Sequence, residues 1–333
     1  MAKSRLRIGI AGCGYAARVH LDRLIATQQV LVVGCADTDL NAAREFAARV
    51  PGIAGEPPAT AFSDHRELIR TLALDALAIF TPHLSHYRPA MDALQAGCHV
   101  FIEKPLATNV QEAVDIVGLA RGRNRKVAVG HQYRLRPSLV EARRRIADGV
   151  IGALRLVTAT LAQPWLAEHQ GAENSWRFDP KISGGGILAD AGDHLIDALL
   201  WTTGLVATEV AAVQSRLETG LDLVTAAAIR LADGTPATLA ISGVSRGSVF
   251  ELNYHGEGGR LRVTDRSLEE QIGTGASREV SLSEASETID GNFVGAIVSG
   301  GPLCCPADQA LDIVRLIEAI ARSAATGQVI RLS

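Results

Sequence analysis

The sequence lacks the features that mark several large classes of protein. It has no run of about 18 apolar residues, the length that a membrane-spanning helix needs, and its N-terminal apolar stretch, Ile8–Ala11, is too short for a signal peptide. It contains no low-complexity tract and no repeat of fixed period. The net charge of −3 is too small to favour electrostatic binding to nucleic acid or to an anionic membrane. We therefore expect a cytoplasmic protein with no nucleic-acid or membrane partner.

The few cysteines also lack a functional pattern. They form no C-x-x-C pair and no spacing typical of metal ligands, and an adjacent pair can form a disulfide only with strain. Three of them lie in apolar segments, where a thiol behaves as a small buried hydrophobe. We expect no metal site and five free thiols, which are Cys13, Cys35, Cys98, Cys304 and Cys305.

Two halves of the chain differ in their pattern of apolar residues. At 333 residues the chain is long enough for two domains, because single cores seldom grow beyond about 250 to 300 residues. Up to Gly130, short apolar strands alternate with helix-like segments, which indicates a doubly wound parallel sheet. From Leu154 onward, strands rich in Val, Ile, Thr and Leu predominate. The sequence predicts an α/β domain over residues 1–130 and an α+β domain with a large, mostly antiparallel open sheet over residues 131–333.

A glycine-rich turn follows the first strand. Residues 12–17 read G-x-G-x-x-A between a strand and a helix, which is the context of a Rossmann dinucleotide-binding domain. Gly12 would permit the tight turn, and Gly14 would let a pyrophosphate approach the backbone. Amides at the start of the following helix, near Tyr15 and Ala16, would face the phosphates.

The second strand ends at an acidic residue, Asp37. A carboxylate at this position accepts hydrogen bonds from the adenosine ribose and repels the 2′-phosphate of NADP. No arginine follows it, since Thr38 and Asp39 come next. We therefore predict NAD rather than NADP as the cofactor. The alternative is that Asp37 is a turn residue or caps the helix that begins near Asn41.

Two further strands end in candidate ligand-binding residues. The strand Val100-Phe101-Ile102 is followed by Glu103-Lys104-Pro105, and proline ends the strand because it has no N–H for the ladder. The preceding strand is followed by Thr81-Pro82. Both turns would lie at the carboxyl edge of the sheet, where ligands bind in open α/β folds. The alternative for Glu103 and Lys104 is a surface ion pair.

Other polar residues of this part of the chain have two interpretations. We predict His86 and His83 to be at most contacts of the cofactor, because most isolated histidines are structural. Arg134 and Arg136 could bind an anionic substrate or form an ion pair across the domains.

A polar stripe occupies the segment after Gly184-Gly185-Gly186. In a helix from about Gly186, Asp190 and His194 stand four residues apart on one face, with Asp197 a turn further. Three explanations compete: a structural stripe that binds backbone, a metal site, and an acid/base site in which Asp190 orients an imidazole that exchanges a proton with a substrate hydroxyl.

Taken together, these motifs resemble the glucose-fructose oxidoreductase/inositol dehydrogenase (Gfo/Idh/MocA) family over essentially the whole chain. The chain departs from the family pattern at two positions. His83 stands where many members have Asn after Thr-Pro, and Thr38 stands where an arginine often follows the acid at the end of the second strand. The matching residues are Gly12–Ala16 with His20, Asp37, Thr81-Pro82 with His86, Ala96-Gly97 to His99-Val100, Glu103-Lys104-Pro105, Trp176-Arg177, Gly184–Gly186, Asp190-x-Gly192-x-His194-x-x-Asp197, Asn292-Phe293 and Gly327.

The resemblance implies an NAD(P)-dependent oxidoreductase with a dinucleotide-binding domain and a second domain whose open sheet carries substrate and often the oligomer contact. It implies that Lys104 and His194 act at the substrate hydroxyl or carbonyl, that Asp190 is their polar partner, and that Glu103 helps to seat the nicotinamide ribose. It also implies a homodimer or homotetramer.

The function expected from the sequence is reversible hydride transfer between the cofactor and a secondary alcohol or ketone of a sugar, polyol or inositol. One alternative is an NAD-dependent glycoside hydrolase that oxidises its sugar transiently. The other is a non-catalytic regulator of the same fold that senses a cofactor or sugar. The substrate is expected to be selected by loops such as residues 163–179.

Overall fold

The structure is a computed structural model that describes residues 5–170, 175–284 and 287–332. The described chain divides into two compact units. The first contains the residues up to Gly130 together with Glu287–Leu311, and the second contains the described residues from His131 to Glu284 together with Asp312–Leu332. No helix among these residues has both the length and the apolarity required to cross a membrane.

Helices and strands alternate regularly in the first part of the chain. In order, the elements are β1 (Leu6–Ala11), α1 (Tyr15–Ala26), β2 (Val30–Ala36), α2 (Leu40–Ala47), β3 (Thr60–Phe62), α3 (His65–Thr71), β4 (Ala76–Ile79), α4 (Tyr87–Gln95), β5 (His99–Ile102), α5 (Val110–Gly122), β6 (Val127–Val129) and α6 (Pro137–Ala147).

Strands dominate the next part of the chain, and two helices precede the C-terminus. The elements are β7 (Leu154–Ala162), α7 (Trp165–His169), α8 (Pro180–Ser183), α9 (Ile187–Thr203), β8 (Ala207–Ser215), β9 (Val224–Leu231), β10 (Pro236–Ser242), β11 (Val249–Gly256), β12 (Gly259–Thr264), β13 (Leu268–Ile272), β14 (Arg278–Glu279), α10 (Ile289–Ser299), α11 (Ala307–Thr326) and β15 (Ile330–Arg331).

The first unit is built on a six-stranded sheet in the order β3-β2-β1-β4-β5-β6, with every neighbouring pair parallel. Its central strands read as unbroken apolar runs because both faces are buried: β4 and nearly all of β5 are inaccessible to solvent. The strand order reverses between β1 and β4. In open sheets of this kind, ligands bind at the carboxyl ends of the strands beside such a reversal.

A segment far along the chain completes the first unit. The sequence pattern places all of residues 131–333 in a second domain, whereas residues 287–311 cluster with the first unit in the structure. Helix α10 packs against α1, and its Phe293 contacts Phe101 of β5 edge to face with ring centroids 5.7 Å apart. Burial of this aromatic pair explains why the segment belongs with the parallel sheet.

The second unit contains a nine-stranded sheet in the order β14-β13-β12-β11-β7-β10-β9-β8-β15, antiparallel except for β7 and β10. Its strands alternate between buried and exposed residues because one face packs on helices and the other is open. Helix α9 lies on β7 and β10, and α6 packs on α9. The predicted fold class, a doubly wound parallel sheet plus a mostly antiparallel open sheet, is therefore confirmed. None of the five cysteines, all of which are described, forms a disulfide.

Candidate active site

The glycine-rich turn after β1 has the backbone that the sequence predicted. Gly12 has φ of +86°, and a Cβ there would lie 2.7 Å from the backbone of Phe80 and Thr81, so only glycine fits without strain. A Cβ at Gly14 would meet open space. Helix α1 follows without a side-chain cap and without an acidic residue in its first turn. Its first amides therefore remain available to an anion, and the turn fits a dinucleotide pyrophosphate.

Asp37 lies beside this turn. Its Oδ2 accepts a hydrogen bond from the Cys13 N–H at 2.9 Å, and its Oδ1 accepts one from the Asp39 N–H at 3.0 Å. The residue that caps α2 is Asp39, whose side chain accepts from the Asn41 N–H. Asp37 is thus held at the carboxyl end of β2 next to the glycine turn, as a ribose-binding acid requires.

His86 connects the turns that follow β4 and β5. Its Nδ1 lies 2.7 Å from the Pro105 carbonyl oxygen, and its Nε2 lies 2.9 Å from that of Thr81. The ring is completely buried, and burial lowers its pKa although both hydrogen bonds oppose the shift. Both ring nitrogens thus face protein backbone. The role we propose for His86 is to hold the Thr81-Pro82 turn against the Glu103-Lys104-Pro105 turn, in place of a direct cofactor contact.

Glu103 and Lys104 follow β5 at the carboxyl edge of the sheet. The Lys104 residue is only 8% exposed. The Glu103 carboxylate faces a buried histidine of α1, with 3.6 Å between Glu103 Oε2 and His20 Nε2. A surface ion pair, the alternative interpretation of this segment, does not describe residues that are this well covered.

These residues of the first unit fit a nicotinamide dinucleotide. The glycine turn and the uncapped start of α1 have the geometry to bind a pyrophosphate, and the Asp37 carboxylate is placed to accept hydrogen bonds from a ribose. Glu103 and Lys104 directly follow β5, which neighbours β4 at the same edge of the sheet. Asp290 of α10, whose Oδ1 lies 2.7 Å from His20 Nδ1 of α1, is not predicted from the sequence, because no local pattern near residue 290 points to a partner in α1.

In the second unit, helix α9 carries the polar stripe and is anchored by Asp222. Both carboxylate oxygens accept backbone N–H groups at its start, from Gly186 at 2.6 Å and from Leu188 at 2.8 Å. A Cβ at Gly186 would lie 2.3 Å from the Asp222 carbonyl oxygen, so glycine is required there. At Gly192 a Cβ would lie 2.8 Å from Ile241 of β10. The glycines of this motif therefore let α9 pack closely on its neighbours.

Asp190 accepts two hydrogen bonds on one oxygen. The Trp165 indole N–H donates to Oδ2 at 2.8 Å, and the Arg177 Nε–H donates to the same atom at 3.0 Å. Trp165 and Arg177, two residues of the predicted substrate loop 163–179, thus contact the acid/base stripe, while residues 171–174 of that loop lie outside the described part of the chain. That Asp190 orients His194 stays a prediction.

His194 is buried and stacks on an aromatic ring. Its imidazole is parallel to the Tyr133 ring within 9°, with centroids 4.2 Å apart. The Arg136 guanidinium covers Tyr133, with its Cζ 3.2 Å from the ring centroid. The neighbouring His131 bonds through Nε2 to Asp193 Oδ1. Stacking fixes the plane of the His194 ring, and no local sequence pattern predicts Tyr133 as its partner because the two residues are 61 positions apart.

Asp197 forms a buried ion pair within the second unit. Its Oδ1 accepts from Arg134 Nε at 2.8 Å and from Arg134 Nη2 at 2.6 Å. Of the alternatives for Arg134, an ion pair is thus observed, but it does not cross between the units. Both bonds end on Oδ1, whereas Oδ2 is buried and accepts no hydrogen bond from the described residues, so the metal site stays one of the alternatives for the stripe.

Two family models match the chain and identify its family. Residues 6–131 match the oxidoreductase family with an NAD-binding Rossmann fold, and residues 139–262 match the GFO/IDH/MocA C-terminal domain. The chain belongs to the Gfo/Idh/MocA oxidoreductase family. It is therefore an oxidoreductase whose first unit contains the NAD-binding Rossmann fold of that family.

Several dehydrogenases are similar to this chain in sequence. UDP-N-acetylglucosamine 3-dehydrogenase of Acidithiobacillus ferrooxidans is 30% identical over 241 residues, which are 72% of this chain and 68% of that protein. D-glucoside 3-dehydrogenase of Escherichia coli is 26% identical over 210 residues, which are 63% of this chain and 57% of that protein. The latter match thus spans little more than half of the relative.

Solved structures support the fold over nearly the whole chain. Levoglucosan dehydrogenase, solved with NADH and levoglucosan, superposes with a TM-score of 0.88 at 23% identity and covers 98% of this chain and 99% of that one. An inositol dehydrogenase homologue from Azotobacter vinelandii, solved with NAD+, gives a TM-score of 0.88 at 19% identity, with 99% and 98% covered.

Proposed function

We propose that this protein is an NAD-linked dehydrogenase or reductase that acts on a secondary alcohol or ketone of a sugar, polyol or inositol. The observation that carries the proposal is the position of Lys104, which is buried at the carboxyl end of β5, the neighbour of β4, in an NAD-binding sheet whose strand order reverses between β1 and β4. The names of the relatives, which include dehydrogenases of glucosides and of a nucleotide sugar, support the substrate class.

We assign the cofactor to the first unit. Gly12, Gly14, Tyr15 and Ala16 would bind its pyrophosphate through backbone amides, and Thr81 and Pro82 would line the same edge of the sheet. When bound, NAD supplies the acceptor for a hydride. Asp37 favours NAD over NADP because its carboxylate would repel a 2′-phosphate.

We assign the proton chemistry to Lys104, His194 and Asp190. His194 would take the proton from the substrate hydroxyl, a step that a positioned base accelerates roughly 10²- to 10⁴-fold. A protonated Lys104 would polarise the oxygen on which negative charge develops. Asp190 would hold Trp165 and Arg177 against α9 as well as serve as a polar partner.

The test is a spectrophotometric assay of the full chain with NAD and a panel of sugars, sugar acids, polyols and inositols. The expected result is NADH absorbance with one substrate class. Lys104→Met and His194→Asn should each abolish turnover while NAD still binds, which cofactor fluorescence can measure. Full activity in either variant would remove that residue from the mechanism.

Two outcomes of this assay would contradict the proposal. Hydrolysis of an aryl glycoside with no net NADH would indicate the glycosidase alternative. Firm binding of NAD with no reaction across the panel, including glycosides, would indicate the regulatory alternative.

We also propose that the protein is a homo-oligomer. Adjacent strands β8, β9 and β10 present small apolar residues on their open face, and Val213 is 69% exposed there. An exposed sheet face that is rich in small apolar residues is typical of an interface between copies of one chain. The exposed alanines are Ala211, Ala226, Ala228 and Ala240.

A further inference from the structure

A buried charge cluster lies under the cofactor edge of the first unit and is not explained by the chemistry above. His20 of α1 is 4% exposed, and its Nδ1 is 2.7 Å from Asp290 Oδ1 of α10. Its other nitrogen, Nε2, faces Glu103 Oε2 at 3.6 Å. The imidazole therefore lies between two carboxylates from segments that are far apart in the chain.

Packing fixes the orientation of the His20 ring. It stacks on Phe80, which follows β4, with centroids 4.7 Å apart and planes within 25°. Phe101 of β5 contacts it at 5.2 Å. A ring held in this way cannot turn away from Glu103 without displacing aromatic core residues, so the direction of Nε2 is set by the fold.

The Glu103 side chain is confined from the opposite side. A Cβ at Gly130 would lie 2.1 Å from Glu103 Oε2, so the carboxylate lies directly against the Gly130 backbone. About a fifth of the side chain is still exposed, with a relative accessibility of 18%, at the carboxyl edge of the sheet. Glu103 is thus held by buried groups while part of it stays open to a ligand.

The charges around the cluster favour a protonated His20. Burial alone lowers its pKa, but the hydrogen bonds and charges of Asp290 and Glu103 outweigh burial and raise the pKa to about 9. Arg23 also faces Asp290 at 3.8 Å. Burial alone would raise the pKa of Glu103, yet His20, with smaller effects from Lys104 and His86, lowers it below its usual value.

We propose that His20, held by Asp290, is a positioning residue that keeps Glu103 ionised and correctly oriented to bind the cofactor. The proposal rests on the assignment of NAD to this edge of the sheet. Asp290 acts through His20, and His20 acts through Glu103. The C-terminal segment thereby contributes to a site that is formed by the first 130 residues.

The sign of the pH dependence follows from the raised pKa. Protonated His20 is favoured in the folded state, so the interaction is fully present at neutral pH and is lost as the pH rises through about 9. Once the imidazole is neutral, Glu103 loses its buried counter-charge. Cofactor affinity should therefore fall over the same pH range.

The test is the dissociation constant for NAD, measured by calorimetry from pH 7 to pH 10, for the wild type, His20→Gln and Asp290→Asn. The wild-type constant should rise on the order of tenfold across about pH 9, since the largely buried Glu103 carboxylate then loses the positive charge that faces it at 3.6 Å. His20→Gln should bind on the order of tenfold more weakly at neutral pH and show no break near pH 9. Asp290→Asn should move the break to lower pH.

His65→Gln is the matched control, because His65 pairs with Asp92 at 2.8 Å in the same unit, away from Glu103. It should leave the NAD profile unchanged. If His20→Gln fails to fold, Asp290→Asn alone decides the question. If the NAD dissociation constants of both His20→Gln and Asp290→Asn depend on pH as that of the wild type does, the inference is overturned, even if sugar oxidation is observed. If the pH dependence of NAD binding requires His20 but no sugar is oxidised, the proposed function is overturned and the inference stands.

Discussion

Two carboxylates at the carboxyl edge of the parallel sheet, Asp37 and Glu103, have different surroundings and hence different roles. Asp37 accepts hydrogen bonds from two backbone amides, so its position is fixed without a cationic partner. Glu103 instead faces the imidazole of His20. Asp37 is therefore suited to select between cofactors by charge, and Glu103 to bind a neutral hydroxyl.

Replacing Asp37 should weaken the discrimination against NADP. Asp37→Ser removes the negative charge and keeps a small polar group. The preference for NAD over NADP, measured as the ratio of the two dissociation constants, should fall on the order of tenfold, which corresponds to about 1.4 kcal/mol.

Asp39→Ala is the control for this change. Asp39 caps α2 two residues further along, so its loss should lower the free energy of unfolding by about 1 kcal/mol and leave the ratio unchanged. An unchanged ratio in Asp37→Ser would show that selectivity resides elsewhere.

At the scale of elements, the sequence predicts best those helices and strands whose signal is local. Apolar periodicity and a stop at Gly327 predict a terminal helix over Ala307–Thr326, which are the bounds of α11. The sequence pattern predicts no strand at β12 or β13, which are rich in charged residues. Their Arg262 pairs across strands with Glu251 and Glu269, so the charges are satisfied only after the sheet forms.

The open face of β8, β9 and β10 leads to a prediction at this scale. Ala228→Arg places a charge in the middle of the apolar face. Sedimentation velocity should show an oligomer for the wild type and a smaller species for the variant, with little change in thermal stability because the residue is exposed.

Ala325→Arg, at an exposed position of α11, is the control and should sediment like the wild type. A monomeric wild type, or an Ala228→Arg variant that sediments like the wild type, would contradict the assignment of this face as the interface.

For the whole molecule, the site could be predicted in part. Strand ends bring Gly12, Asp37 and Lys104 to one sheet edge, and the strand pattern is visible in the sequence. Contacts between distant segments are not visible: Asp290 is 270 residues from His20, and Asp222 anchors a helix start 36 residues before it. Such contacts depend on the complete fold, and therefore no local pattern predicts them.

The central claim is hydride transfer to NAD from a secondary carbinol carbon. The most direct measurement uses the substrate that the panel selects, deuterated at that carbon, with NADH examined by mass spectrometry and NMR after turnover. We predict one deuterium at C4 of the nicotinamide for each product molecule formed. Unlabelled NADH, or deuterium recovered only in solvent, would contradict the account.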